Sequence, residues 1–313
     1  MNFATMDYFI ALAEERSFTR AAGRLNVTQQ TLSAHIAGVE RELGVRLVNR
    51  TVPLTLTYAG EEFLTYARRY QAARREFDQE FADIAGDAKG LLAVAIASTR
   101  GRQLMPDAIA AFGRTHPHVG IELHEDDNDR LLELLRDGTA DMMVGTVPEG
   151  TSGLEVRPLR TERVVLFVAD SLLEDLHGND VETVVAEVER TGNLAPLGNM
   201  PYLLGAEGDE PGDLSRAMLW RSGIRPQACV MAKNGETLLD LAYRGVGACF
   251  FPENLAWPVL GRDTSLRQIS LGPEAVIPIQ LAWRSSSHVW SVIEAFADLL
   301  TKLYGEDPSE KDA

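Results

Sequence analysis

Residues 17–44 read SFTRAAGRLNVTQQTLSAHIAGVERELG, and this stretch decides the fold of the N-terminal part. Phe18, Ala21, Ala22 and Leu25 recur at helical spacing behind a capping residue, Ser17 or Thr19. The small Ala21 and Ala22 let a second helix cross close to the first. Asn26 suits a left-handed backbone better than most residues, and Thr28 follows as an N-cap. In the next helix Leu32, Ile36, Val39 and Leu43 form one stripe that should be buried. Two short helices joined by a tight turn form a helix-turn-helix, whose second helix lies in the DNA major groove. Upstream, Met6, Phe9, Ile10 and Ala13 predict a first helix over residues 5–15. Downstream, Gly44 closes the third helix, and residues 45–57 (VRLVNRTVPLTLT) alternate like a short hairpin with Pro53 near its tip.

The polar side of the third helix carries Gln29, Gln30, Thr31, Ser33, Ala34 and His35. Gln pairs bidentately with adenine, and Ser or Thr meets several base edges. Ser17, Thr19 and Thr28 stand at helix starts, where hydroxyls and free amides hold a phosphate. Arg50 and Pro53 belong to the hairpin, where a cation meets the DNA backbone or the minor groove. The expected DNA contacts are therefore Ser17, Thr19, Thr28, Gln29, Gln30, Thr31, Ser33, His35, Arg50 and Pro53. The competing reading is an ordinary solvated helix face, with Arg46 in a surface ion pair.

The 313 residues are 45% hydrophobic and 24% charged, as suits a globular protein of two or three domains. A net charge of −16 argues against nucleic acid until its distribution is read. Residues 1–60 hold six arginines against five carboxylates, or +1, which leaves −17 on the remainder. Repulsion should confine DNA contact to the head, since screening acts over about 8 Å at physiological salt. A head at +1 binds weakly alone, so two heads should act together. No basic leader or membrane-length apolar run is present, and the cytoplasm is the expected compartment. Cys229 and Cys249 read as packing residues rather than a disulfide framework or redox sensor. No histidine has metal-ligand spacing with a cysteine or carboxylate. No phosphate loop or G-x-S-x-G elbow appears, so neither metal, cofactor nor enzymatic activity is expected.

Residues 59–85 lack Gly other than Gly60 and lack Pro; Phe63, Tyr66, Tyr70, Ala73, Phe77, Phe81 and Ile84 mark a seam about seven turns long. Such a helix needs a partner, either its twin in a second subunit or the body of its own chain. GDAKG at residues 86–90 breaks it. Strand–helix alternation begins at residue 91, with strands at 91–97, 120–124, 140–144 and 163–169 and helices at 104–114 and 130–136. A second set follows: helices at 181–190, 214–222 and 236–244, and strands at 202–204, 229–232 and 247–251. Residues 277–283 cross back, 291–304 form a closing helix, and the polar tail frays. This is an α/β pattern.

The run from Phe9 through residues 17–50 to LTLTYAGEEFL resembles the LysR-type transcriptional regulators. Matching positions include Ser17, Phe18, Ala21, Ala22, Leu25, Gln29, Leu32, Ser33, Ile36, Glu40, Leu43, Gly44, Leu47 and Arg50, continued by Leu56, Thr57, Ala59 and Gly60. The sequence departs from that pattern at Ala34, where a basic residue is common, at His35, where Gln is common, and at Thr51 and Val52. HPHVGIELHE, LLELLRDGTADMMV and GETLLDLAYRGVGACFFPE extend the resemblance along the chain. It implies an α/β protein with an N-terminal winged helix-turn-helix (1–58), a long linker helix for dimerisation (59–89), and a two-lobed periplasmic-binding-protein-like (type 2) effector domain. Lobe 1 would be residues 90–164 and 275–304, lobe 2 residues 165–274, and the tail 305–313.

It further implies a bacterial regulator that binds double-stranded promoter DNA and a small-molecule effector. It would pair as a homodimer through the linker helix or as a homotetramer, and would meet RNA polymerase if an activator. Ligands of open α/β sheets sit beyond the carboxyl ends of strands. The expected effector contacts are Ser98, Thr99 and Arg100, in a loop before a helix, with Asn128, Thr146, Gly205, Met231 and Val246. An anion suits the helix start, and the acidic loop Asp126, Asp127, Asn128 and Asp129 reads as a solvated turn, the alternative being that it favours a cationic or amino-bearing effector. The alternative is a ligand-binding protein whose DNA-binding head is non-specific or degenerate.

Overall fold

The chain was described from a computed structural model covering residues 3–86, 89–198, 200–226, 228–260, 266–286 and 288–305. The head contains α1 (Phe3–Glu15), α2 (Phe18–Arg24), α3 (Gln29–Leu43) and the two-strand wing β1 (Val48–Asn49) and β2 (Thr55–Leu56). Ser17 rather than Thr19 caps α2, accepting from the Arg20 amide at 3.4 Å. Asn26 takes the left-handed backbone (φ 53°), and Thr28 caps α3 by accepting from Thr31 N–H at 3.1 Å. Leu32, Ile36 and Val39 are buried with Phe9, Leu12, Ala21, Leu47 and Leu54. Leu43 is a correction: it is 45% exposed, because the αL turn at Gly44 ends the helix before the stripe closes over it.

The long helix α4 (Tyr58–Ile84) starts against the wing. Thr57 accepts from Gly60 N–H and donates its hydroxyl to Arg46 C=O at 2.6 Å. A Cβ on Gly60 would stand 2.0 Å from the Leu47 carbonyl oxygen, so only glycine permits this seat.

Beyond α4 the elements alternate: β3 (Gly90–Ile96), α5 (Ser98–Thr115), β4 (Val119–Glu125), α6 (Asn128–Asp137), β5 (Met142–Gly145) and β6 (Leu154–Ala169). They continue as α7 (Asp170–His177), α8 (Val181–Thr191), β7 (Tyr202–Gly205), α9 (Glu210–Arg221), β8 (Ala228–Ala232), α10 (Gly235–Tyr243), β9 (Ala248–Pro252) and α11 (Glu253–Leu260). The chain closes with β10 (Leu266–Ser270), β11 (Val276–Arg284) and α12 (Ser291–Tyr304). Two 3-10 turns, Gly178–Asp180 and Ala195–Leu197, flank α8.

Among these residues the sheet order is β4-β3-β5-β11-β6-β9-β7-β8, with β10 also on β6. β3 pairs parallel with β4 and β5, whereas β11 pairs antiparallel with β5 and β6. The first part of β6 lies against β11, and its last six residues lie against β9 and β10. One continuous strand therefore belongs to both lobes, crossing near Glu162 and Arg163. The spacing rules miss its first nine residues because LEVRPLRTE is charged and mostly exposed on one side. They also miss α7, α11 and β10. The tail at residues 306–313 lies outside the described residues.

Candidate nucleic-acid interface and effector cleft

At the head, Gln29, Gln30, Thr31 and Ala34 are exposed along the opening turns of α3 while Leu32 and Ile36 behind them are fully buried. Ser33 is half-buried on the flank, and Thr19 is exposed on α2. The Thr28 hydroxyl is shared between the Thr31 amide and the Thr31 hydroxyl at 2.8 Å. His35 is placed differently from the sequence expectation. Its ring packs edge-on against Tyr8, with centroids 4.8 Å apart, and its Nδ1 lies 3.2 Å from Thr5 Oγ1 on α1. It anchors α3 to α1, because it sits one residue before the buried Ile36.

Arg50 and Pro53 are exposed on the wing, and the Arg50 guanidinium lies 5.4 Å from the Phe18 ring centroid. A residue missed as functional, Glu40, holds the wing to α3: its Oε1 accepts from Leu47 N–H at 2.8 Å and Val48 N–H at 3.3 Å. Two other head cations are engaged: Arg24 pairs with Glu14 at 2.6 Å, and Arg20 with Glu15 at 3.3 Å.

Helix α4 presents two dissimilar sides. Tyr66, Phe77, Phe81 and Ile84 are more than half exposed, with Phe77 and Phe81 in ring contact at 4.4 Å. Of the expected seam, Phe63 is instead buried in the head core and Tyr70 packs beside it. The opposite side is fastened to the body. Gln79 donates to Asp141 at 3.3 Å, Arg75 donates to Thr139 C=O at 3.0 Å, and Glu76 receives Arg284 at 2.9 Å. Asp83 accepts from the Ser291 amide and hydroxyl at 2.8 and 2.7 Å. Burial raises the Asp141 carboxyl above its ordinary range, opposed by the Ala93 amide and Arg75.

Between the lobes lies a cleft of about 260 Å³, lined by Ser98, Thr99, Arg100, Asn128 and Gly205 among the expected residues. Ser98–Arg102 form the first turns of α5 rather than a loop, and α5 has no side-chain cap. Arg100 is a second correction. It is 4% exposed and pairs with Glu162 at 3.1 Å and Glu210 at 3.4 Å, so it is already neutralised. Burial works against its charge, but these carboxylates outweigh burial and raise its affinity for a proton. Burial likewise works against the Glu162 charge, yet Arg100 and Arg160 hold that carboxyl below its usual range. Asn128 uses its carboxamide on the Thr146 backbone, accepting at 3.0 Å and donating at 2.8 Å.

Thr146, Met231 and Val246 are not among the residues lining the cleft. Thr146 donates its hydroxyl to Pro278 C=O, while Met231 and Val246 are 69% and 40% exposed, Met231 on the free edge strand β8. The apolar wall instead comes from Leu238, Phe250, Phe251, Pro252 and Leu255, on elements α10, β9 and α11. Asp209 caps α9 through Gly212 N–H at 2.9 Å. Burial pushes its carboxyl up to about 6; the Gly212 amide opposes this, and Glu210 and Asp213 add to it.

Cys249 is buried and Cys229 exposed. Their strands flank β7, so they stand about two strand spacings apart, roughly 10 Å, beyond disulfide reach. Among the described residues no group of His, Cys, Asp and Glu is arranged to hold a metal, and no helix is long and apolar enough to cross a membrane.

Residues 3–61 match the bacterial regulatory helix-turn-helix protein, lysR family, and residues 85–304 match the LysR substrate binding domain. The chain belongs to the LysR family. It is a DNA-binding transcriptional regulator with an effector-binding domain. Among similar proteins are the HTH-type transcriptional regulator TfdS of Cupriavidus pinatubonensis, 27% identical over 98% of this chain and 100% of that one, and the DNA-binding transcriptional dual regulator OxyR of Escherichia coli, 28% identical over 96% and 95%. The solved full-length CbnR in complex with its target DNA is 26% identical, with a TM-score of 0.65 over 96% of this chain and 99% of that one.

Proposed function

We propose that two copies of this LysR-family regulator pair along the exposed stripe of α4 and present two α3 helices to promoter DNA. Gln29, Gln30, Thr31 and Ser33 read base edges, while Ser17, Thr19, Thr28, Arg50 and Pro53 meet the sugar–phosphate backbone. The observation that carries this reading is the exposed polar opening of α3 over a fully buried opposite side. Tyr66, Phe77, Phe81 and Ile84 supply the apolar contact that a second α4 covers. Dimers assemble further into a tetramer, and an activating form touches RNA polymerase. The protein works in the cytoplasm and performs no turnover. Its working parts are a head (1–58), a linker (59–89), lobe 1 (90–164 and 275–304), lobe 2 (165–274) and a tail (305–313).

A small-molecule effector between the lobes favours one lobe arrangement, provided that it binds the two arrangements with different affinity. The polar fastening of α4 to lobe 1, through Asp141, Arg284 and Asp83, carries that change to the heads. Selection of bound fragments from random DNA, followed by a mobility assay, tests the reading. The selected fragment should bind far more tightly than its scrambled counterpart; equal binding would leave only a non-specific head.

A further inference from the structure

The charge around the cleft does not suit the anion that the start of α5 suggests. Six carboxylates line it, Glu125, Asp126, Asp127, Glu207, Asp209 and Glu210, against only Arg100 and Lys233. Both cations are already taken. Arg100 lies between Glu162 and Glu210, and Glu162 also receives Arg160 at 2.6 Å. Lys233 reaches across the lobes to Asp127 at 3.4 Å and Asp126 at 4.0 Å. Four helix N-termini converge here, α5, α6, α9 and α10, each worth about half a positive charge. Three of them are satisfied by their own caps, Asp127, Asp209 and Asn234. The remaining balance is negative.

Two carboxylates of the cleft, Glu125 and Glu207, have no ion-pair partner among the described residues; Asp209 accepts the Gly212 amide and feels the charge of Arg216, whose guanidinium is itself bonded to Asp213 and to the Gly205 and Ala206 carbonyls. Glu210 adds a solvent-shielded Oε1 that accepts no hydrogen bond. These groups come from both lobes, Glu125 from the end of β4, Glu207 and Asp209 from the turn between β7 and α9, and Glu210 from the start of α9. Beneath them lies the apolar wall of Leu238, Phe251 and Leu255, all nearly fully buried. A hydrated inorganic cation would gain nothing from that wall, whereas an amine on a hydrocarbon or aromatic body uses both surfaces. The volume, just below the usual range of about 300–1,000 Å³, limits it to a small metabolite.

We infer that the effector is a small organic cation, an ammonium or guanidinium group on a compact apolar body, held by the carboxylates of both lobes over the wall of Leu238, Phe251 and Leu255. This rests on the cleft being the effector site. The cation draws Glu125 of lobe 1 and Glu207 and Asp209 of lobe 2 together, and thereby favours the closed arrangement.

Calorimetric titration of the full chain at physiological salt tests it, with 1,5-diaminopentane, agmatine and 2-phenylethylamine as probes. Heptanedioate and 3-phenylpropanoate are their anionic counterparts, and magnesium chloride is the inorganic control. At least one amine should bind saturably, one per chain, while the anions and magnesium do not. Glu207→Gln, an exposed site that leaves the fold alone, should weaken that amine about tenfold, as should loss of one charge-assisted hydrogen bond. Ser98→Trp, an exposed position on the cleft wall, should fill the cleft and abolish binding, and Glu174→Gln on α7 should change nothing. Saturable binding of an anion that Ser98→Trp removes would overturn the cation assignment and keep the cleft. An amine that binds regardless of Ser98→Trp and Glu207→Gln would overturn both. No amine saturating by about 10 mM would overturn the cation assignment.

Discussion

Replacing Asp209 by Asn should stabilise the effector domain, and the gain should depend on pH. Asp209 is an N-cap, and Asn is as good a cap, so the contact to Gly212 N–H survives the change. What disappears is a negative charge that burial and the neighbouring Glu210 and Asp213 make costly. The carboxyl titrates near 6 in the fold against an ordinary 3.8, about two units, worth about 3 kcal/mol at ~1.4 kcal/mol per unit. Because the folded value is the higher one, the folded state binds the proton more tightly. The cost is fully present above about pH 6, and it shrinks as pH falls through 6 toward 3.8. Asp209→Asn should therefore be more stable than the parent by about 3 kcal/mol near pH 7.5, and by between about 1 and 2 kcal/mol near pH 5. Urea unfolding followed by tryptophan fluorescence at the two pH values measures the difference. A variant less stable than the parent near pH 7.5, or a gain that ignores pH, would refute the account of Asp209 as a buried charge that the Gly212 amide and Arg216 only partly offset.

Glu40→Ala leaves the Leu47 and Val48 amides without their acceptor and should cost the head about 2 kcal/mol, read by thermal unfolding, with Glu40→Gln recovering part of it. Gln29→Ala should lower discrimination between selected and scrambled DNA by roughly 1–3 kcal/mol. Equal loss on both DNAs would remove Gln29 from the base contacts. Arg50→Ala should weaken binding to every sequence and flatten the salt dependence by about one ion, as a competition series at several salt concentrations would report. Phe77→Asp with Phe81→Asp puts charge where a second α4 should pack, and sedimentation should then find a smaller assembly than the parent's. An unchanged mass would place the interface elsewhere.

The head was legible in the sequence because each of its signals is local. Thr28, Asn26 and Gly44 set helix ends within a few residues, and Leu32, Ile36 and Val39 repeat at one spacing. His35 was misread for a tertiary reason: the pattern shows which residues are polar, not that Tyr8 and Thr5 of another helix claim this one. The cleft was legible only in part. Ser98, Thr99 and Gly205 follow from the rule that ligands sit beyond strand ends, and they line the cleft. Arg100 looked available because its partners, Glu162 and Glu210, lie 62 and 110 residues away. Met231 and Val246 fall outside the cleft because strand order, which local patterns do not give, puts β8 at the free edge and Val246 in the turn before β9. The wall itself comes partly from α11, eight residues whose Pro and short length give little periodicity to read.

Helix α4 is held to lobe 1 along its second half, from Ala72 against Gly138 to Asp83 against Ser291, and carries the wing and α3 at the other end. The 14 steps from Tyr58 to Ala72 span about 21 Å at 1.5 Å each. A rigid rod of that length amplifies angle into distance: turning it by about 10° swings the far end through about 3.6 Å, close to the 3.4 Å rise of a single base pair. Shifting the contacts of Asp83 and Glu76 by an ångström or two is thus enough leverage to move a reading head from one base-pair step to the next.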